Sequence, residues 1–184
     1  TKRFDNEPRK SRSRSNSSGS ASRERSVSIS RTSSSNSDAL RFYLEPQDLV
    51  VDAPSIGPKT AEKLKTVRVF TVSDLLEADS TALAEQLGDR RISAGTIEQW
   101  QLQARLVCCV PNLRGHDAQI LVACGVEDPV TLSSLDPSTF LQKVTQFVES
   151  KEGQRTIRNA KKPDLAEVTA WIQWSEAARS LRAA

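Results

Sequence analysis

The sequence predicts an all-α protein in which two repeated units pack as one compact helical domain behind a disordered N-terminal tail. Helix-start signals recur from Ala53 onward, and no stretch shows the sustained period-two alternation of a half-buried strand. In addition, the chain matches itself at a fixed offset. We therefore divide it into a disordered tail (1–38), a connecting strap (39–52), a first unit (53–109) and a second, degenerate unit with a basic insertion (110–184).

Residues 1–38 have the composition of a disordered segment. They hold 14 Ser and nine Lys or Arg but almost no apolar side chains, so burial cannot offset the entropy of ordering them. With four acidic residues the tail has a formal charge of +5, while 17 basic and 19 acidic residues give the remainder −2. Nucleic-acid binding by the folded part would therefore need a local basic patch. The tail itself could contact nucleic acid through charge, accept phosphates on Ser, or link to an upstream domain.

Cysteine and histidine usage favours a non-catalytic, metal-free protein of the cytoplasm. Three Cys at these spacings form no disulfide framework, and no apolar run approaches the roughly 18 residues of a membrane span. The adjacent pair Cys108 and Cys109 lacks the spacing of common zinc sites. The one histidine, His116, has no nucleophile motif beside it, so we expect no catalytic residue, metal or cofactor. Because the chain begins at Thr1 rather than Met, we expect a fragment of a longer product.

Capping residues and apolar spacing predict the individual helices. Pro58 can occupy a first helical position, where its missing N–H costs nothing. The connecting strap has apolar residues on either side of Pro46. We expect it to lead into this helix without forming a complete helix or strand itself. Three tryptophans lie at helical spacing from apolar neighbours: Trp100, Trp171 and Trp174. This spacing favours a place in the hydrophobic core over a role in stacking on nucleic-acid bases. The later helix starts are predicted at Thr71 or Ser73, Asp79, Ser93, Asp136 and Asp164.

An internal repeat organises these helices into two units. A shift of 57 residues aligns most of the first unit with the second. The second unit then contains 17 additional residues, so that residues 100–105 match residues 174–179 at a shift of 74. Neither unit could bury its apolar stripe well alone, so the two should pack together. Pairs matched at the first shift include Pro54 and Pro111, Ala61 and Ala118, Leu64 and Leu121, and Asp79 and Asp136.

The segment A-P-S-I-G-P-K-T-A-E-K-L, residues 53–64, resembles the helix-hairpin-helix motif of nucleic-acid-binding proteins. Gly57 would let the main chain approach a ligand closely. Unpaired N–H groups at the start of the next helix would form an anion site for one phosphate. Lys59 would add a charge and Thr60 a hydroxyl, and Lys63 would extend the basic strip. The alternative is that the turn only joins two helices.

The second hairpin and the insertion differ in their predicted roles. The hairpin V-P-N-L-R-G-H-D-A-Q-I-L has Arg114 where the first has Gly57, and Asp117 places negative charge where a phosphate would lie. We therefore expect it to be structural. The insertion, near residues 149–163, carries the best basic patch of the folded part, and we expect either a phosphate-tracking surface or a solvated loop. Its candidate nucleic-acid-binding residues are Lys151, Arg155 and Arg158.

Over residues 53–181 the order and spacing of several motifs are similar to a bacterial domain family of unknown function built from tandem helix-hairpin-helix units. The motifs are I-G-P-K-T-A-E-K-L, V-F-T-V-S-D-L-L-E-A, C-G-V-E-D-P-V-T-L and P-D-L-A-E-V-T-A-W-I-Q-W. The resemblance implies the fold, and only the general inference that such hairpins bind the DNA backbone without sequence specificity.

Our functional hypothesis is a non-enzymatic module that binds the DNA or RNA backbone weakly through the first hairpin, assisted by the insertion. Such binding should weaken steeply as salt rises. The alternative is a protein–protein interaction or scaffold module, including a regulatory appendage of a larger protein such as an ATPase. In that case the partner is another protein or a missing upstream domain of the same protein.

Overall fold

The computed structural model describes residues 40–158 and 161–181, and the predicted disordered tail lies outside them. Within these ranges the chain forms nine α-helices, and its only strand-like feature is an isolated bridge between Leu49 and Thr71. The all-α prediction is therefore confirmed. The helices are α1 (Pro58–Thr66), α2 (Val72–Glu77), α3 (Ser80–Leu87), α4 (Ala94–Cys109), α5 (Gly115–Ala123), α6 (Pro129–Ser133), α7 (Pro137–Glu149), α8 (Lys151–Ile157) and α9 (Leu165–Glu176).

Local capping chemistry sets most of the helix starts. At α2 the cap is Thr71, whose Oγ1 accepts a hydrogen bond from the Asp74 N–H at 3.1 Å, while the Asp74 carboxylate accepts one from the Thr71 N–H at 2.8 Å. This reciprocal capping box satisfies two N–H groups that the helix leaves free. The predicted caps of α3, α4, α7 and α9 likewise accept main-chain hydrogen bonds, and they are Asp79, Ser93, Asp136 and Asp164.

The 57-residue repeat is visible in the backbone. The helices α5, α6 and α7 begin 57 residues after α1, α2 and α3, respectively. Residues with positive φ recur at the same offset: Ser55 pairs with Asn112, and Arg68 pairs with Gly125. The same succession of turn, helix, loop and helices is therefore built twice.

The segment before the first turn contains one short element, the single 3₁₀ turn Val50–Asp52, which lies within the connecting strap. Besides its own turn hydrogen bonds, the main chain there bonds to the residues between α1 and α2 and to the start of α2. The Val50 N–H donates to the Phe70 carbonyl at 2.8 Å, and the Val72 N–H donates to the Asp48 carbonyl at 2.9 Å. In the second unit, α4 occupies the corresponding place.

A single hydrophobic core holds the two units together. The longest described helix, α4, packs against α2, α3 and α5, while α9 packs against α6 and α7. Trp171 is fully buried and Trp100 nearly so, which confirms their predicted place in the core, whereas Trp174 is half-buried at its edge.

The insertion contains a helix, so the loop alternative is wrong for residues 151–157. Ser150 ends α7 and caps α8, because its Oγ accepts a hydrogen bond from the Gly153 N–H at 3.0 Å. A Cβ atom at Gly153 would collide with the Phe147 carbonyl oxygen. Glycine at this position therefore lets α8 fold back closely onto α7, and α8 also packs against α5.

Candidate functional site

The first turn, residues 53–57, presents an open main chain at Gly57. This residue is the N-cap of α1, with φ of −88° and ψ of 170°, an extended conformation that any residue can adopt. A Cβ atom built on Gly57 would meet no atom within 4 Å. Neither backbone conformation nor packing thus requires glycine there, and its small size leaves the turn accessible from solvent.

The start of α1 lacks the side-chain cap found at most of the other described helices. The N–H groups of Thr60 and Ala61 donate to the Gly57 carbonyl at 3.0 and 2.9 Å. Among the described residues, the N–H groups of Gly57 and Lys59 have no acceptor, and no acidic residue stands in the first turn. The positive end of this helix is therefore available to an anion.

The four predicted hairpin residues do not all lie together. Lys59 is exposed, and it lines a shallow depression with Gly57, Pro58 and Thr60. Lys63 does not line this depression. It forms an ion pair with Asp89, in which Nζ and Oδ2 are 2.5 Å apart. Its hydrogen bond holds the pKa of the Asp89 carboxyl below the ordinary value. The charge of Lys63 is thus already matched within the protein.

The second turn, residues 110–114, is closed where the first is open. Asp117 is only 3% exposed, and its carboxylate accepts a hydrogen bond from the Arg114 N–H at 3.2 Å. A Cβ atom on Gly115 would lie 3.2 Å from Cγ of Pro54, so the two turns contact each other. A carboxylate and the neighbouring turn therefore occupy the region around the start of α5.

Part of the basic insertion lies next to the first turn, beside Ser55. Arg155 and Arg158 line an open groove of about 590 Å³ together with Ser55 and His116. Lys151, at the start of α8, does not line this groove. The structure therefore brings two of the three predicted basic residues of the insertion beside the first turn. Two further basic residues of the insertion form ion pairs: Lys161 pairs with Asp164, and Lys162 pairs with Glu149.

A smaller polar crevice of about 320 Å³ adjoins this groove and was not predicted from the sequence. Its lining includes Gln99, Gln103 and Gln119 beside Ser55. Gln103 is only 7% exposed, and its Oε1 accepts a hydrogen bond from Ser55 Oγ at 2.7 Å. The sequence did hold a signal, because Gln103 interrupts the apolar stripe that Trp100 and its neighbours form along α4.

The cysteines pack as small apolar residues, as expected for Cys109 and Cys124. All three are buried, and burial raises the pKa of Cys108 to about 12 and that of Cys124 to about 11. These thiols are therefore protonated at neutral pH and poor nucleophiles. Over the described ranges we find no group of three or more His, Cys, Asp or Glu able to hold a metal ion.

These observations define a compact, all-helical domain whose two turns meet beside a polar groove. None of its described helices has both the length and the apolar character that a membrane crossing demands. The chain belongs to the family described as Domain of unknown function (DUF4332), whose model matches residues 54–179. The predicted membership of a family of unknown function is therefore confirmed. No curated protein and no solved structure matches the chain.

Proposed function

We propose that the protein is a non-enzymatic, tandem helix-hairpin-helix module that binds the DNA or RNA backbone weakly and without sequence preference through its first hairpin. The observation that carries the proposal is the uncapped start of α1 beside Gly57. A phosphate oxygen there would accept hydrogen bonds from free main-chain N–H groups at the positive end of the helix. The ammonium of Lys59 would add a point charge, and Thr60 a hydroxyl donor.

The contrast between the two hairpins supports a single phosphate site at the first one. Equivalent helix starts differ in charge: α5 carries the buried carboxylate of Asp117, whereas the first turn of α1 has no acidic residue. A phosphate at the second hairpin would meet this carboxylate and the first turn. One hairpin site, without a second copy to reinforce it, accounts for the weak affinity that we propose.

Arg155 and Arg158 provide further phosphate contacts in the same proposal. They line the groove on the Ser55 side of the first turn, where a backbone passing Gly57 could continue. Together with Lys59 they would give about three phosphate contacts. The slope of the logarithm of affinity against the logarithm of salt concentration should then be about −2.7 for duplex DNA and about −2.1 for single strands.

The test is a fluorescence-anisotropy titration of the full chain with duplex DNA and with single-stranded DNA and RNA at about 50 mM salt. Gly57→Val should retain the fold, because the backbone there is extended and open, with a cost of about 1 kcal/mol for a poorer N-cap. Its side chain should nonetheless screen the N–H groups from phosphate and lower affinity by about tenfold. Thermal unfolding of each variant checks that the fold is intact.

Two lysines of α1 separate a hairpin site from general charge attraction. Lys59→Glu reverses a charge at the phosphate site, whereas Lys65→Glu makes the same change at the other end of the helix, where Lys65 is also exposed. We expect a large loss of affinity for the first and a small loss for the second. Equal losses, or normal binding by Gly57→Val, would overturn the hairpin proposal.

A protein-binding scaffold is the second candidate, and one observation favours it. Leu49 and Phe70 are 54% and 48% exposed, and their main chains run close together, because the Val50 N–H donates to the Phe70 carbonyl. Exposed apolar surface contributes to contacts between proteins where it forms a contiguous patch. Absence of any nucleic-acid binding by the full chain at low salt would favour this candidate.

A further inference from the structure

The polar crevice beside the first turn contains hydrogen-bonding groups that the protein leaves unused. Gln103 is 7% exposed, and its Oε1 accepts from Ser55 Oγ, but its amide nitrogen has no acceptor among the described residues. At the adjoining groove, Nε2 of His116 is buried without a partner in the described part of the chain, while its Nδ1 faces the Asp117 carboxylate at 3.4 Å. The Gln103 side chain lines the crevice, so its amide nitrogen has a donor that a ligand there can use.

The crevice suits a flat group with a polar edge. Its volume of about 320 Å³ lies at the lower end of the range for small-molecule sites. The amides of Gln99, Gln103 and Gln119 each offer donors and an acceptor, which is the combination that base edges present. Phe147 also lines the crevice, and bases pack well on aromatic side chains.

The mouth of the crevice carries charge suited to a phosphate. Ser55, Gln119, Glu152 and Thr156 line both the crevice and the wider groove, and the groove adds Arg155 and Arg158. Guanidinium groups match phosphate oxygens in geometry and charge. The Glu152 carboxylate can accept hydrogen bonds from ribose hydroxyls or exocyclic amines.

We infer that the crevice binds one unpaired nucleotide, with its base among the three glutamine amides and its phosphate near Arg155 and Arg158. For a nucleotide within a strand the inference rests on the proposed function, whereas the site itself can be tested with free nucleotides. A base stacked in a duplex cannot enter such a crevice without leaving its pair. The site would therefore give the protein a preference for single strands.

The first experiment titrates AMP, GMP, CMP and UMP separately into the full chain and follows the glutamine side-chain amide signals by NMR. We expect saturable shifts of the crevice amides with a Kd on the order of 1 mM. Gln119→Leu should weaken binding at least about fivefold and should fold normally, because Gln119 is half-buried with no described hydrogen bond. Gln103→Leu should do the same, and the control Gln154→Leu, on the exposed face of α8, should bind as the parent does.

Three results would overturn the inference. They are the absence of saturable shifts with all four mononucleotides, equal binding by Gln119→Leu and Gln154→Leu, and reproduction of the shifts by inorganic phosphate alone. The last result would mean that the groove takes an anion without reading a base.

A second experiment distinguishes failure of this inference from failure of the hairpin proposal. Anisotropy titrations compare single-stranded and duplex DNA with Gln119→Leu and Lys59→Glu. We expect Gln119→Leu to weaken only single-strand binding, by at least about fivefold, and Lys59→Glu to weaken both. Equal effects of Gln119→Leu on the two DNAs would reject the crevice alone, while normal binding by Lys59→Glu would reject the hairpin alone.

Discussion

Replacement of Arg68 by glycine should stabilise the domain, because Arg68 holds a left-handed conformation with φ of 65°. It follows Val67, the C-cap of α1. The Arg68 N–H donates to the Lys65 carbonyl at 3.1 Å, and the Val69 N–H donates to the Leu64 carbonyl at 3.0 Å. This is the Schellman arrangement, in which the first residue after the cap is most often glycine.

The size of the effect follows from two opposing contributions. A non-glycine residue in the left-handed region costs about 1–2 kcal/mol, and glycine loses about 0.5–1 kcal/mol through the greater freedom of the unfolded chain. The Arg68 side chain is exposed and makes no ion pair or hydrogen bond with the described residues. The net gain should therefore be about 0.5–1 kcal/mol.

Urea and thermal unfolding followed by circular dichroism provide the measurement. The midpoint temperature of Arg68→Gly should rise by about 1–4 °C. The matched control is Gly125→Ala, at the equivalent position of the second unit, where φ is 79°. An added Cβ there would contact only Lys143 Nζ, at an ordinary 3.6 Å, so any loss of stability reports the backbone. An unchanged or lowered stability of Arg68→Gly would refute the reasoning, and so would a neutral Gly125→Ala.

Three further predictions concern α8, pH and thiol chemistry. Gly153→Ala should cost about 1–3 kcal/mol in urea unfolding, because its Cβ would collide with the Phe147 carbonyl oxygen; wild-type stability would contradict the packing of α8 on α7. The Thr71 N–H lowers the pKa of Asp74 below 3.8, so this cap stabilises the fold above that pH and is lost as pH falls through the depressed pKa. Urea midpoints between about pH 5 and pH 2 should therefore decline less in Asp74→Asn than in the wild type, and parallel curves would exclude the effect. Since burial raises the pKa of Cys108 to about 12, thiol reagents should label it at neutral pH only after unfolding; rapid labelling of the folded chain would show that it is accessible.

The helix starts could be predicted from the sequence because their causes are local. A capping side chain such as Asp79 or Ser93 bonds to main-chain groups three residues away, so a short window of sequence contains both partners. The offset of 57 residues could be read in the same way, since matched caps and turns recur one by one. The positions of α1, α5 and the other repeated helices followed from these signals.

The features that escaped prediction depend on contacts between distant residues. The 3₁₀ turn before Ala53 exists because its neighbours bond to the loop near Phe70, and no local pattern records that bond. Likewise, Ser55 and Gln103 are 48 residues apart and meet only in the folded chain. At the candidate site, the sequence indicated Gly57 and Lys59 by motif, but it could not indicate that Lys63 is matched by Asp89.

The contact between Pro54 and Gly115 changes how a mutational scan of this protein should be interpreted. A larger residue at Gly115 would push against Pro54, which is 3.2 Å from the position of the new Cβ atom, and would displace the other copy's turn. A substitution in the degenerate copy could then abolish a property that belongs wholly to its neighbour. The effects of mutations at Pro54 and Gly115 are therefore coupled. To assign a role to one turn, a mutation there should be tested together with a compensating mutation in the other turn.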